Sequence, residues 1–293
     1  MFLFYLVMQF RRISAFKAQR RWLATHPRMR RRLGFHTVLH RTTLSRPYKQ
    51  VAALVEGLVA FVGQYVADLD EAFASTHLIE DKSLFKTAGP VWHQADRRAG
   101  CIPPKPRRLD SDATWSKSGY QGWIYGYGLH LTCTPAAFPK LARVETAAVA
   151  ESQMLDEKKA IILDDLRPHT LAADNSYCQA TRIRRWAKLG TILITPARRW
   201  SKGRYAQSYH RFLKRPTVQH LLKQCKTSVE PLFDLIAKLI GATGYQKQLV
   251  VQGLHPSRPA LLLGTLSLQF AMIINSIWGR SLREIALMQA AFA

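Results

Sequence analysis

Leu78-Ile79-Glu80-Asp81-Lys82-Ser83-Leu84-Phe85 is a short apolar run interrupted by adjacent acids. A run of this length reads as a buried strand, and Asp81 ends its apolar opening as a strand-borne carboxylate would. Further short apolar runs follow at 123–133, 171–174 and 191–195, each bounded by turn residues. Between them lie a Pro-rich loop at 102–106 and a helical pattern at 155–163, and the chain ends in helical patterns. Strands alternating with helices predict an α/β layer built on a mixed sheet.

Charge is the second signal. The 293 residues carry a formal net charge of +24, with 47% hydrophobic residues, which is a globular composition with an excess of cations. No acid occurs between Asp174 and Glu230, yet Arg182, Arg184, Arg185, Lys188, Arg198, Arg199, Lys202, Arg204, Arg211, Lys214, Arg215, Lys223 and Lys226 do. Carboxylates bracketing such a segment suit a protein that grips a polyphosphate with basic side chains and holds a divalent metal against it. Excess positive charge points to nucleic acid or an anionic membrane surface, and nucleic acid is favoured.

Before Glu56 there is again no acid, while Arg11, Arg12, Arg20, Arg21 and the cluster Arg28 to Arg32 make the opening segment basic. It reads either as an extended tail or as a helical DNA-binding extension. Residues 50–67 repeat apolar positions at helical spacing (Val51, Leu54, Val55, Leu58, Val59, Phe61, Val62) and read as a packed helix. The expected division is a basic arm and helix at 1–70 and a main domain at 71–293. Cys101, Cys133, Cys178 and Cys225 form no CxxC pair and read as isolated thiols of a reducing cytosol. The apolar start precedes Arg11 and Arg12, the wrong order for an export signal. Residues 259–279 lack charge, but Gln269 and Asn275 interrupt them, which favours a buried helix over a membrane span.

After Ser228, Leu232, Leu235, Ile236 and Leu239 form one apolar stripe, with Glu230, Asp234 and Ala237 off it. Glu230 precedes Pro231, so it is expected at a helix start or kink, facing away from the core.

Four stretches now stand in order: Leu78-Ile79-Glu80-Asp81-Lys82-Ser83, Tyr125-Gly126-Tyr127-Gly128-Leu129-His130-Leu131, Leu171-Ala172-Ala173-Asp174-Asn175-Ser176-Tyr177, and Val229-Glu230-Pro231-Leu232-Phe233 followed by Lys238. Together they resemble the DDE transposases of bacterial insertion sequences, over residues 77–279. In that family a strand Asp followed by Ser or Thr, a Gly-Tyr-Lys-x-His strand, Ala-Asp-x-x-Tyr and a helical Val-Glu-x-x-Phe appear in this order. The resemblance implies an RNase H-like mixed sheet flanked by helices, with the basic helical extension in front. It implies Asp81, Asp174 and Glu230 as catalytic metal ligands, Mg2+ (or Mn2+) as cofactor, and cleavage then strand transfer at element ends. It further implies double-stranded DNA as partner, no membrane, a homodimer on DNA, and a bacterial cytoplasmic, nucleoid-associated location. Arg182, Arg184, Arg185, Arg198, Arg199, Lys202, Arg204, Lys223 and Lys226 would track backbone phosphates. The sequence departs from the pattern at Gly128, where Lys is usual, at Lys226, where Arg is, and at Lys223, where Tyr is. The alternative is an inactive DNA-binding remnant or a repurposed transposase.

Asp110 and Asp112 compete with Asp81 for the first position, but they follow a Pro and Arg loop and read as a solvated turn or helix cap. His93 and His130 either approach the metal site or satisfy buried hydrogen bonds. Trp115, Tyr120, Trp123, Tyr125 and Tyr127 either stack on unpaired bases or pack as cross-strand pairs. Trp200 and Tyr205, set among cations, are candidates for DNA contact.

Overall fold

The structure is a computed structural model that describes residues 1–101, 109–196 and 204–292. The 102–106 loop, Arg198, Arg199, Trp200 and Lys202 lie outside the described residues, as does the side chain of Lys226. The chain opens with helices α1 (Phe2–Phe10), α2 (Phe16–Thr25), α3 (Pro27–Arg32), α4 (Arg41–Gln50) and α5 (Ala52–Tyr65). Strand β1 (His77–Lys86), helix α6 (Gln94–Arg98) and strands β2 (Thr114–Ser118), β3 (Gly122–Cys133) and β4 (Pro139–Thr146) follow. Helix α7 (Glu151–Ala160), β5 (Thr170–Ala173), α8 (Ala180–Lys188) and β6 (Ile192–Ile194) come next. Helices α9 (Arg204–Leu213), α10 (Pro216–Gln224), α11 (Glu230–Leu239), α12 (Leu254–Ile277) and α13 (Ala286–Phe292) complete the chain.

The runs read as strands at 78–85, 123–133, 171–174 and 191–195 correspond to β1, β3, β5 and β6. They join β2 and β4 in one mixed sheet of six strands. β1 is antiparallel to β3, from Ile79↔Cys133 to Lys86↔Gly126, and parallel to β5, from His77↔Thr170 to Glu80↔Ala173. β6 adds parallel to β5, while β2 and β4 pair antiparallel with the first and second halves of β3. With neighbours on both edges, β1 is buried along most of its length, which is why it reads as a continuous apolar run rather than an alternating one.

Helices flank the sheet. α5 and α12 pack on β4, α11 packs on α12, and α8 packs on β6. The uncharged stretch at 259–279 lies largely in α12, whose residues from Pro259 to Gln269 are all buried in the protein. The basic opening segment is helical and not an extended tail. α1 packs on α12 and α13, and the Tyr5 hydroxyl donates to the Leu44 carbonyl of α4 at 2.7 Å. One hydrophobic cluster runs from Phe4 through the sheet to Met288.

A buried ion pair locks the centre of this arrangement. Glu80 accepts from Lys158 Nζ and from Thr132 Oγ1 (2.6 Å), and Lys158 also donates to Thr132 at 3.0 Å. β1, β3 and α7 are thereby joined at one point. Burial pushes the Glu80 carboxyl up and the Lys158 amine down, and their mutual attraction opposes both shifts. Removing one partner leaves the other charged and unsolvated. Lys158→Met is therefore expected to cost about 3 kcal/mol in urea unfolding, and Glu80→Leu with Lys158→Met to recover most of that loss.

Candidate active site

The parallel register between β1 and β5 sets the first two acids. Glu80 pairs with Ala173, so the next residues, Asp81 and Asp174, come side by side where β5 stops and β1 continues. Neighbouring strands lie about 4.8 Å apart, which brings the carboxylates within each other's field. Asp174 then turns away as the cap of the Asn175–Tyr177 turn, its Oδ1 accepting the Ser176 amide at 2.7 Å. Asp81 is held well above the usual carboxylate range, first by burial and then by the negative charges of Asp174, Glu151 and Glu80.

Glu151, not singled out from the sequence, stands in the same group. It is the first residue of α7, and Ser176 Oγ contacts both Glu151 Oε2 and Asp174 Oδ1, the latter at 2.5 Å. Burial and the Asp174 charge raise Glu151 to about 7, against the pull of Lys82. Lys82 Nζ donates to the carbonyls of Ala147 (2.9 Å) and Val149 (2.8 Å), fixing the turn that leads into α7. The helical pattern read at 155–163 missed these first residues because no side-chain cap marks the start of α7.

Glu230 is exposed at the first position of α11, directly after a π-helical turn at Cys225–Val229, a change of pitch within a continuous helical run just ahead of Pro231. The helix presents Glu230, Phe233, Asp234, Ala237 and Lys238 to a cleft of about 910 Å³ that is also lined by Asp81, Glu151, Asp174 and Ser176. Ala237, placed off the apolar stripe by sequence, is buried. Asp234 is neutralised by Lys247 at 3.1 Å, and Lys247 also donates to Ser83 Oγ at 3.1 Å. Asp81, Asp174 and Glu230 therefore share one cleft, with Glu151 as a fourth acid.

The remaining candidates fall elsewhere. Asp110 is not a solvated turn. It is buried, accepting from the Tyr127 hydroxyl (2.7 Å), Thr87 Oγ1 and the Gly253 amide (2.8 Å), while Asp112 accepts the Leu254 amide at 3.0 Å. These acids anchor the start of α12 and do not line the cleft. His93 is exposed ahead of α6, away from the cleft lining. His130 is fully buried, and neither ring nitrogen has a partner among the described residues, correcting the expectation of a hydrogen-bonded histidine. Burial and the nearby Lys158 and Lys82 push it down to about 2, so it stays neutral.

Gly128 has a steric reason. A Cβ there would lie 2.7 Å from Lys82 Cε and 3.3 Å from His130 Nε2, so the Lys82 stem fills the space a longer residue at 128 would need.

Of the aromatic cluster, Tyr125 and Tyr127 are buried and Trp115 bonds the Trp92 carbonyl at 2.8 Å, whereas Tyr120 lines the cleft beside Tyr245, ring centroids 5.0 Å apart. Arg182 is paired with Asp156 at 3.0 Å and the Arg184 guanidinium lies 4.4 Å over the Tyr205 ring. Arg185, Lys188, Arg204 and Lys223 are exposed. None of these cations lines the cleft, where Lys117 and Lys238 stand instead.

Neither a family model nor a curated protein matches the chain. Among the described residues, no three His, Cys, Asp or Glu side chains are grouped so as to hold a metal ion. The donor set nonetheless suits a hard divalent cation, being carboxylate oxygens on one cleft whose mutual repulsion a cation would relieve.

Glu151 gives the cleft a pH signature. Its folded value of about 7 exceeds the ordinary carboxylate value, so the folded state binds its proton more tightly, and stability is lost as pH rises through that window. Mg2+ is expected to raise the melting temperature at pH about 8 and much less at pH about 5.5. Glu151→Gln should stabilise the metal-free protein at the higher pH and shrink the Mg2+ shift. An equal shift at both pH values would count against a cation held by these acids.

Proposed function

We propose that the chain is a metal-dependent DNA-cleaving and strand-transferring enzyme of the DDE transposase kind, with an RNase H-like sheet. The observation that carries this reading is the register of β1 on β5, which sets Asp81 beside Asp174, in one cleft with Glu230, in a protein of net charge +24. The strand path supports the fold assignment, since antiparallel β4, β3 and β1 are followed by parallel β5 and β6.

Asp81, Asp174 and Glu230, joined by Glu151, would hold Mg2+ or Mn2+. When bound, such ions polarise the phosphodiester and stabilise the attacking and leaving oxygens. The protein's own contribution is positional. Asp81 is rigid on a central strand, Asp174 is fixed by its cap, and Glu151 is aimed by the Lys82 clamp on the preceding turn. Glu230 projects into the cleft from the first position of α11, just past the π-helical turn. Lys117 and Lys238 stand on the cleft lining where a scissile strand's phosphates would pass, and Tyr120 and Tyr245 offer ring faces to an unpaired base. Double-stranded DNA would be drawn in by the exposed cations of α8 to α10.

Nicking and strand transfer on DNA carrying the element ends, in Mg2+, is the direct test. Asp81→Asn, Asp174→Asn and Glu230→Gln should each reduce the rate on the order of 1,000-fold with DNA affinity retained. DNA binding without any metal-dependent cleavage by the wild type would instead identify a non-catalytic remnant.

Salt dependence checks the phosphate track separately. Arg185→Ala with Lys188→Ala should lower the slope of log affinity against log salt by about 2 and weaken all sequences alike. An unchanged slope would remove α8 from the DNA surface.

A further inference from the structure

Helix α5 carries two apolar stripes. Val55, Val59 and Val62 are buried on the side that packs on β4 and α12, and Gly63 lies so close to β4 that a Cβ would stand 2.5 Å from the Lys140 carbonyl oxygen. In the second stripe Val51 and Leu58 pack partly against the core, and Leu54, Phe61 and Tyr65 stand exposed beside them. Val51, Leu54, Leu58, Phe61 and Tyr65 recur at alternating steps of three and four residues, the seam spacing of a two-stranded coiled coil. Leu54 is 55% exposed, Phe61 53% and Tyr65 68%.

We propose that this outer face of α5 is a self-association surface, on which a second copy of the chain lays its own α5 antiparallel. Charge selects both partner and direction. Between residues 50 and 67 the only charged residue is Glu56, and it is paired with Arg143, so the seam carries no free charge. The flanks are opposite in sign. Exposed Arg46 and Lys49 precede the helix, and exposed Asp68 and Glu71 follow it. None of these four is in an ion pair among the described residues. Antiparallel pairing brings each basic end onto the partner's acidic end, whereas parallel pairing would set like charges together. The acidic end also disfavours an anionic lipid surface, and a seam without free cations offers nothing to nucleic acid. This inference does not rest on the nuclease reading.

Sedimentation equilibrium of the full chain, free of DNA and in moderate salt, tests it. A dimer mass is expected for the wild type. Leu54→Glu with Phe61→Glu should give a folded monomer that melts where the wild type does once that is diluted to a monomer, because both side chains are more than half exposed. Arg46→Glu with Lys49→Glu, and separately Asp68→Lys with Glu71→Lys, should each weaken the dimer about tenfold, and all four together should restore it. A wild-type monomer at every concentration would overturn the proposal, as would a dimer that survives Leu54→Glu with Phe61→Glu. So would a fourfold variant no stronger than either pair, or a monomer that floats with neutral or anionic vesicles.

Discussion

Glu80 and Asp81 are consecutive acids on the central strand, and only the first has a cation of its own. Glu80 is satisfied by Lys158 and Thr132 in the buried interior. Lys158 lies in α7, the helix that begins with Glu151, so the ion pair that fixes α7 to the sheet also sets where Glu151 stands relative to Asp81. The fold thus neutralises the structural acid and leaves the neighbouring one without a cation. Asp81 meets Asp174 through strand register and Glu151 through a helix anchored one residue away.

That uncompensated cluster sits in a strongly cationic protein. At long range the net charge of +24 attracts a polyanion, while within the cleft the carboxylates repel phosphate. The conflict is resolved if cations intervene, since a divalent ion is the largest local charge in such a site and reverses its sign. Lys82 and Lys247, which reach into the same cleft, do not serve this purpose, because their amines are spent on the Ala147 and Val149 carbonyls and on Asp234 and Ser83. They position elements around the acids.

Much of this was legible in the sequence wherever burial produced an apolar run. β1, β3, β5 and β6 showed as runs because each lies inside the sheet or under helices, and Glu230 was placed by the proline after it. β2 and β4 were not read. β2 is a short, largely half-buried Thr-Trp-Ser-Lys-Ser segment, and β4 carries Lys140 and Arg143, whose charges hide a strand that is mostly buried. Glu151 was invisible because its helix starts after Ala150 without a capping side chain, and its role depends on Ser176 and Asp174, far along the chain. Asp110 looked like a turn residue locally, and only its contacts with Tyr127 and Gly253 show it to be a buried anchor. Lys82 and Gly128 belong to different strands, so their shared space appears only once β1 lies on β3.

Iron-directed cleavage of the protein itself tests the acid cleft most directly. Fe2+ substituted for Mg2+ in the presence of ascorbate and peroxide generates hydroxyl radicals that cut the backbone beside the bound ion. Cuts are expected near Asp81, Glu151, Asp174 and Glu230, suppressed by excess Mg2+ and lost in Asp81→Asn with Asp174→Asn. Uncut protein, or cuts that ignore these four residues, would contradict a divalent cation held in this cleft.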